Sequence, residues 1–192
     1  MFAGKVVLVT GGSRGIGAAV VSRFLREQAT VYSISRHLAE TGPLGPNHHP
    51  EVCDVTVEAD VSAVIGRIVA KGSLHVLVNN AGVERSAVFL RQTSADYDAV
   101  FNTHVRAVLH MTRAVLRASD MMRRKDGVVV NIGSVVGTQG NAGQVLYSAS
   151  KSALHGITRS LCQEYGRFNV RFNTVAPGYI ETAMTNAMEP KA

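Results

Sequence analysis

Tryptophan is absent from this 192-residue chain, aromatic residues make up only 6% of it, and there are just two cysteines and five prolines. Each shortage excludes something. Cys53 and Cys162 cannot build a disulfide framework, which fits a reducing compartment. A basic stripe interleaved with stacking aromatics, the signature of single-strand nucleic-acid binding, is missing, so no nucleic-acid partner is expected. No apolar run approaches the roughly 18 residues of a membrane-spanning helix. The opening, Met1 to Gly4 and then Lys5-Val6-Val7-Leu8-Val9-Thr10, has neither the basic start nor the small-residue cleavage site of a secretory signal, and no transit sequence is visible. The expectation is a soluble protein of the cytoplasm or the mitochondrial matrix. Hydrophobic residues at 46% against 18% charged supply a full core, and the length suits one domain over residues 1–192. The net charge of +6 fits an anionic substrate or cofactor as well as it fits a polyanion.

Short β-branched runs alternate with helical periodicity. The pattern predicts strands over residues 6–10, 30–35, 51–55, 76–79, 128–133 and 170–176 and helices over 15–27, 57–70, 95–123 and 147–167. Continuous apolar strands alternating with helices imply right-handed crossovers and a doubly wound parallel α/β sheet of Rossmann type, in a single domain. One crossover is thin. Between Arg36 and Glu51, three prolines and two glycines leave room for at most one helical turn. The pair His48-His49 falls here and reads as solvated loop, with no cysteine or further histidine at ligand spacing, so no metal site is expected.

Thr10-Gly11-Gly12-Ser13-Arg14-Gly15-Ile16-Gly17 stands between the first strand and the first helix. Glycines let the backbone turn tightly and approach a ligand, and a helix start presents free N–H groups and a positive dipole end to a pyrophosphate. A bare strand-to-helix turn would use similar residues; the position at the first βα junction favours a nucleotide. Dinucleotide folds that bind NAD carry an acid at the end of the second strand. Here Ser33-Ile34-Ser35 ends on Arg36, and with Arg14 it would pair a 2′-phosphate, favouring NADP(H). Two solvated surface arginines are the alternative.

Tyr147 and Lys151 lie four apart on one helix face. A free phenol near pKa 10 is a poor acid–base group at neutral pH, and a nearby ammonium together with an oxidised nicotinamide would lower it. Ser134 follows the fifth strand at its C-terminal end, where its hydroxyl would donate to a carbonyl oxygen gaining charge.

With Asn79-Asn80-Ala81-Gly82 and Pro177-Gly178 added, these motifs resemble the short-chain dehydrogenase/reductase family along essentially the whole chain. The segments around Gly133–Gly137 and Val175–Thr182 are most similar to its 3-oxoacyl-[acyl-carrier-protein] reductase branch, carbonyl reductases included. The resemblance implies NADPH-driven reduction of a ketone to a secondary alcohol, with a 3-oxoacyl thioester of fatty acid synthesis as the leading substrate and sugars, quinones and steroids as others. It implies that Gly11, Ser13, Arg14, Ile16 and Gly17 contact cofactor phosphates and ribose, Asp54 and Val55 flank the adenine, and Asn80, Ala81 and Gly82 the ribose side. Ile180 and Thr182 would meet the carboxamide, Tyr147 would be the proton donor, and Lys151 its partner and a ligand of the nicotinamide ribose.

The chain departs from the family pattern twice. His104 occupies the place of a helix asparagine whose main-chain carbonyl holds a water for proton supply; the carbonyl would survive, the imidazole could relay protons itself, or it could distort the site. Family members also continue well past Thr182, so an uncovered sixth strand, a less closed pocket and a truncated chain are expected, with a non-catalytic nucleotide-binding or partner subunit of an oligomer as the alternative function. The cations Arg123, Arg124 and Lys125, with Arg167 and Arg171, read equally as a solvated helix end or as a dock for an acidic acyl carrier protein. Cys162 reads as a packed thiol.

Overall fold

The structure, a computed structural model, describes residues 2–39 and 42–182. Its centre is a six-stranded, wholly parallel sheet in the order β3-β2-β1-β4-β5-β6. The strands are β1 Val6–Thr10, β2 Thr30–Ser35, β3 His48–Val52, β4 Val76–Asn79, β5 Gly127–Ile132 and β6 Val170–Val175. The helices are α1 Gly15–Arg26, α2 Glu58–Ala70, α3 Ser94–Phe101, α4 Ala107–Ala118, α5 Met121–Arg124, α6 Val136–Gln139 and α7 Val145–Tyr165. The order reverses between β1 and β4, so the crevice at the C-terminal ends of these strands is where such a sheet places its ligand.

Alternation along each strand divides the core in two. Leu8, Tyr32, Ile34, Leu77, Val129 and Phe172 face α2 and α4, while Val7, Val9, Val31, Val76 and Val78 face α1. Polar groups bind the layers together as well. Asn79 Nδ2 donates to Asn131 Oδ1 at 2.9 Å and to Thr112 Oγ1 at 3.2 Å, and Asn131 Nδ2 donates to Thr158 Oγ1 at 2.9 Å. Asn131 is fully buried, so satisfying these groups fixes β4 and β5 against α4 and α7.

Three elements differ from the sequence reading. The third strand starts at His48, not at residue 51, and contains Pro50 opposite Ser33. It is an edge strand of the described sheet, where a proline without an N–H is tolerated. Of residues 53–55, Cys53 and Val55 are buried but lie beyond the end of the strand; Cys53, at 2% exposure, packs into the α2 side, and burial pushes its thiol up to about 11. His48 and His49 are therefore not solvated loop. Neighbours in a strand point to opposite faces: His48 is buried on the α1 side against Ser33, and His49 stacks on Tyr32 at 4.9 Å on the other. The pair cannot converge on one ion, and no cluster of metal-ligating side chains occurs among the described residues.

The long helix expected over 95–123 is in fact three. After α3, whose start is a Thr93–Asp96 capping box, residues Asn102–Arg106 form a π-turn. Thr103 Oγ1 donates to Ala99 O at 2.8 Å, placing a side chain in the ladder where the register widens. Ser119, with ψ 165°, ends α4. Arg123 and Arg124 belong to the separate short α5, and Lys125 sits in the left-handed region at φ 54°. Expectations for the chain beyond Thr182 lie outside the described residues. No described helix is long and apolar enough to cross a membrane.

Candidate active site

The glycine turn hangs from the ends of β1 and β4. Thr10 Oγ1 accepts the N–H groups of Asn80 and Ala81, both at 2.9 Å, and Asn80 Nδ2 donates back to Thr10 O at 2.9 Å and Gly11 O at 3.1 Å. Gly11 has φ +66°, and a Cβ on it would lie 2.9 Å from Ala81 Cα; one on Gly17 would collide with the Gly11 carbonyl. The turn is thus closed around glycine, with helix α1 starting immediately behind it. The N-cap Arg14 makes no side-chain cap, so the first-turn amides of this 12-residue helix receive no acceptor from that side chain. This donor set suits a phosphate. Two of the sequence candidates are also scaffold: the Asn80 amide ties the turn together, and Asp54 Oδ1 accepts from Thr56 N at 2.9 Å and Thr56 Oγ1 at 2.7 Å to cap the turn before α2.

At the corner beside β2, Arg14 and Arg36 are both exposed, and neither has a carboxylate partner among the described residues. Thr182 folds back over the other side of the turn, its Cγ2 3.6 Å from where a Gly15 Cβ would stand. Ile180 is half exposed nearby in sequence, Val55 is 9% exposed, and Ser13, Ile16, Ala81 and Gly82 are half-buried around the crevice.

Ser134, Tyr147, Lys151 and His104 meet at the C-terminal ends of β4 and β5. Ser134 follows β5, its Oγ accepting from Val136 N at 3.2 Å, and its hydroxyl stands close enough to the Tyr147 phenol to favour the ionised form. Lys151 is buried, with its ammonium donating to Ile132 O at 2.8 Å and standing 5.7 Å from the Tyr147 ring centre. Burial lowers the Lys151 pKa to about 8, with Glu84 opposing. Burial also raises Tyr147 above its ordinary value of 10.0, Glu84 adds to that, and the Ser134 hydroxyl works against it. The protein's own groups thus favour the protonated phenol, whereas the lowering expected from the sequence was for Lys151 together with an oxidised nicotinamide.

His104 is 1% exposed. Its Nε2 accepts the Val83 N–H at 3.0 Å, so the proton resides on Nδ1, which donates to Ser150 Oγ at 2.8 Å. Ser150 in turn donates to Tyr147 O at 2.7 Å, and the His104 ring meets the Tyr147 ring edge-on at 5.3 Å. Burial, with Lys151 nearby, pushes the imidazole well below its ordinary value, so it stays neutral. Both ring nitrogens bind the scaffold, joining the loop after β4 to α7.

Sequence reasoning missed three contributors. Thr10 lay inside the glycine motif and could have been found as the only side-chain acceptor there that reaches β4; Ser150 lay between Tyr147 and Lys151; Glu84 carries no motif, and only its position exposes its influence. Of the basic patch, Arg124 is committed internally, to Asp120 at 2.8 Å and to Leu74 O at 2.8 Å, while Arg123, Arg167 and Arg171 stay exposed. Cys162 is packed as expected, its thiol on Phe172 O at 3.3 Å.

Residues 5–192 match the family model of the short chain dehydrogenases. The 3-oxoacyl-[acyl-carrier-protein] reductase FabG of Thermotoga maritima is 40% identical over 197 aligned residues, covering 98% of this chain and 79% of that protein. The Escherichia coli FabG is 39% identical, covering 97% and 78%, and a human 3-oxoacyl-[acyl-carrier-protein] reductase is 37% identical, covering 96% and 79%. A short-chain dehydrogenase from Streptomyces avermitilis, known from its crystal structure, superposes with a TM-score of 0.86 at 32% identity over 93% of this chain and 67% of that one. A match of this extent, on a sheet whose switch point carries the turn and the tyrosine–lysine helix described above, shows that the chain belongs to the short-chain dehydrogenase family of nicotinamide-dependent oxidoreductases.

Proposed function

We propose that the protein reduces a ketone to a secondary alcohol with NADPH, and that its substrate is a 3-oxoacyl thioester presented by an acyl carrier protein. The observation that carries this reading is the half-buried Tyr147 phenol, beside the Ser134 hydroxyl and with the Lys151 ammonium 5.7 Å from its ring centre. The amides of the glycine turn, with Ser13, Arg14, Ile16 and Gly17, would hold the phosphates; Arg36 and Arg14 would hold the 2′-phosphate; Asp54, Val55, Asn80, Ala81 and Gly82 would line the adenosine, and Ile180 and Thr182 the nicotinamide end. When bound, the reduced nicotinamide supplies the hydride.

The protein's own residues handle the oxygen. Ser134 donates to the carbonyl oxygen and stabilises the charge that develops there. Tyr147 transfers its phenolic proton to that oxygen, so hydride at carbon and proton at oxygen together complete the alcohol. Lys151, buried beside the ring, offers positive charge to the phenolate left behind. His104 holds the helix and the loop after β4 in register. Catalysis in this arrangement rests on positioning, since every group is anchored before substrate arrives.

The names of the FabG relatives support the acyl-carrier-linked substrate, and the exposed Arg123, Arg167 and Arg171 suit an acidic carrier. The test is NADPH oxidation with acetoacetyl thioesters, compared with a panel of quinone, sugar and steroid ketones. Turnover confined to the thioesters is expected; turnover of another class, with thioesters inert, would overturn the substrate assignment.

A further inference from the structure

The His48-His49 motif has no place in the reduction, yet His48 is 6% exposed and fully hydrogen-bonded. Its Nδ1 accepts the Leu44 N–H at 2.9 Å, which leaves the proton on Nε2, and Nε2 donates to Ser33 Oγ at 2.8 Å. Burial, with His49 adjoining, keeps the ring below its ordinary pKa and therefore neutral. Ser33 is the floor of the glycine turn: a Cβ on Gly12 would come 2.6 Å from Ser33 Cβ. Three residues on is Arg36, and Arg36 begins the proline- and glycine-rich loop that returns to β3. No helix covers this crossover among the described residues, and Leu38 and Leu44 in it are about half exposed. The imidazole is the side chain that fastens the far half of that loop to the floor beneath the glycine turn.

We propose that His48 is a positioning residue for cofactor selectivity: bridging Leu44 and Ser33, it fixes the loop rooted at Arg36 against the corner where a 2′-phosphate would be held. The inference rests on the NADPH reading above. The Gly42 N–H donates to Ala39 O at 3.0 Å, so the segment that Leu44 anchors is tied back to the one that starts at Arg36, and ordering the Arg36 guanidinium costs more once that anchor is lost. A contact to the phosphate depends on this loop. Contacts shared by both dinucleotides, which come from the turn and from α1, do not.

The test uses the full chain with His48→Ala, His48→Gln and Ser33→Ala, and three readouts: dissociation constants for NADPH and for NADH by titration, hydrogen exchange at the Leu44 amide without any dinucleotide, and thermal melting. His48→Ala should weaken NADPH about fivefold, the worth of about one hydrogen bond, while NADH changes less than about twofold, and it should speed Leu44 exchange. Ser33→Ala, a smaller change in the core, should weaken NADPH in the same selective manner. The Gln variant, whose carboxamide offers an acceptor and a donor as the neutral imidazole does, should restore slow exchange and selectivity. Equal weakening of both dinucleotides, or an unchanged preference despite fast Leu44 exchange, overturns the inference alone. A wild-type protein indifferent to the 2′-phosphate overturns the reading of Arg14 and Arg36 and the inference with it.

Discussion

Replacing Tyr147 by Phe removes one oxygen and leaves the ring in place. The ring keeps its edge contact with His104 at 5.3 Å and its place 5.7 Å from the Lys151 ammonium. What disappears is the proposed proton donor, the hydroxyl beside Ser134. A positioned general acid contributes about a hundred- to ten-thousand-fold, or about 3–5 kcal/mol of barrier. The stability change should be far smaller, within about 1 kcal/mol, because the ring keeps its packing and only a half-buried hydroxyl is removed. Turnover of an acetoacetyl thioester, followed by NADPH absorbance, should therefore fall by at least about a hundredfold, with melting temperature and NADPH affinity nearly unchanged. Two outcomes would refute the reasoning: turnover within about threefold of wild type, or a loss of turnover that merely tracks unfolding.

Other consequences are equally specific. His104→Ala leaves the Val83 N–H and Ser150 hydroxyl without their partner and opens a cavity, which should cost about 3–5 kcal/mol in urea denaturation; His104→Asn, able to accept and donate, should recover part of it. His48, His75 and His104 all have pKa values lowered from 6.5, chiefly by burial. The unfolded chain therefore takes up protons below that value which the folded one refuses, and stability should be present above about pH 6.5 and fall as pH drops further. Melting temperatures measured down to about pH 5 check this, and a flat profile would contradict it. Replacing Arg123, Arg167 and Arg171 together by Ala should raise KM for a carrier-protein-linked substrate by about tenfold at low salt, leaving KM for the coenzyme A thioester unchanged.

Much of the fold was legible because a parallel sheet is written in runs of Val, Leu and Ile, and β1, β2 and β4 begin and end where those runs do. The convergence of Tyr147, Lys151 and Ser134 was legible for a related reason: their spacing is fixed by one helix turn and one strand end. Hydrophobicity misled at β3, because burial and strand pairing separate there. Cys53 and Val55 are apolar and buried beyond the strand's end, while His48, His49 and Pro50 form the ladder of an edge. The break of the long helix at Asn102–Arg106 left no sign in periodicity; it depends on Thr103 bonding to Ala99 and on His104 reaching two other segments. The upward direction of the Tyr147 shift was likewise invisible, since it depends on burial and on Glu84, neither of which a motif records.

We propose that Arg14 and Arg36 turn a glycine-built phosphate cradle into a site selective for the 2′-phosphorylated dinucleotide. Two guanidiniums on a phosphate, each making charge-assisted bonds, favour NADPH over NADH by about 10- to 100-fold. Titrating the wild-type protein and an Arg14→Ala, Arg36→Ala double variant with both dinucleotides at fixed ionic strength measures this directly: the account predicts a strong wild-type preference that the double variant loses through weaker NADPH binding alone, and equal affinities in the wild type, or a preference that survives in the variant, would contradict it.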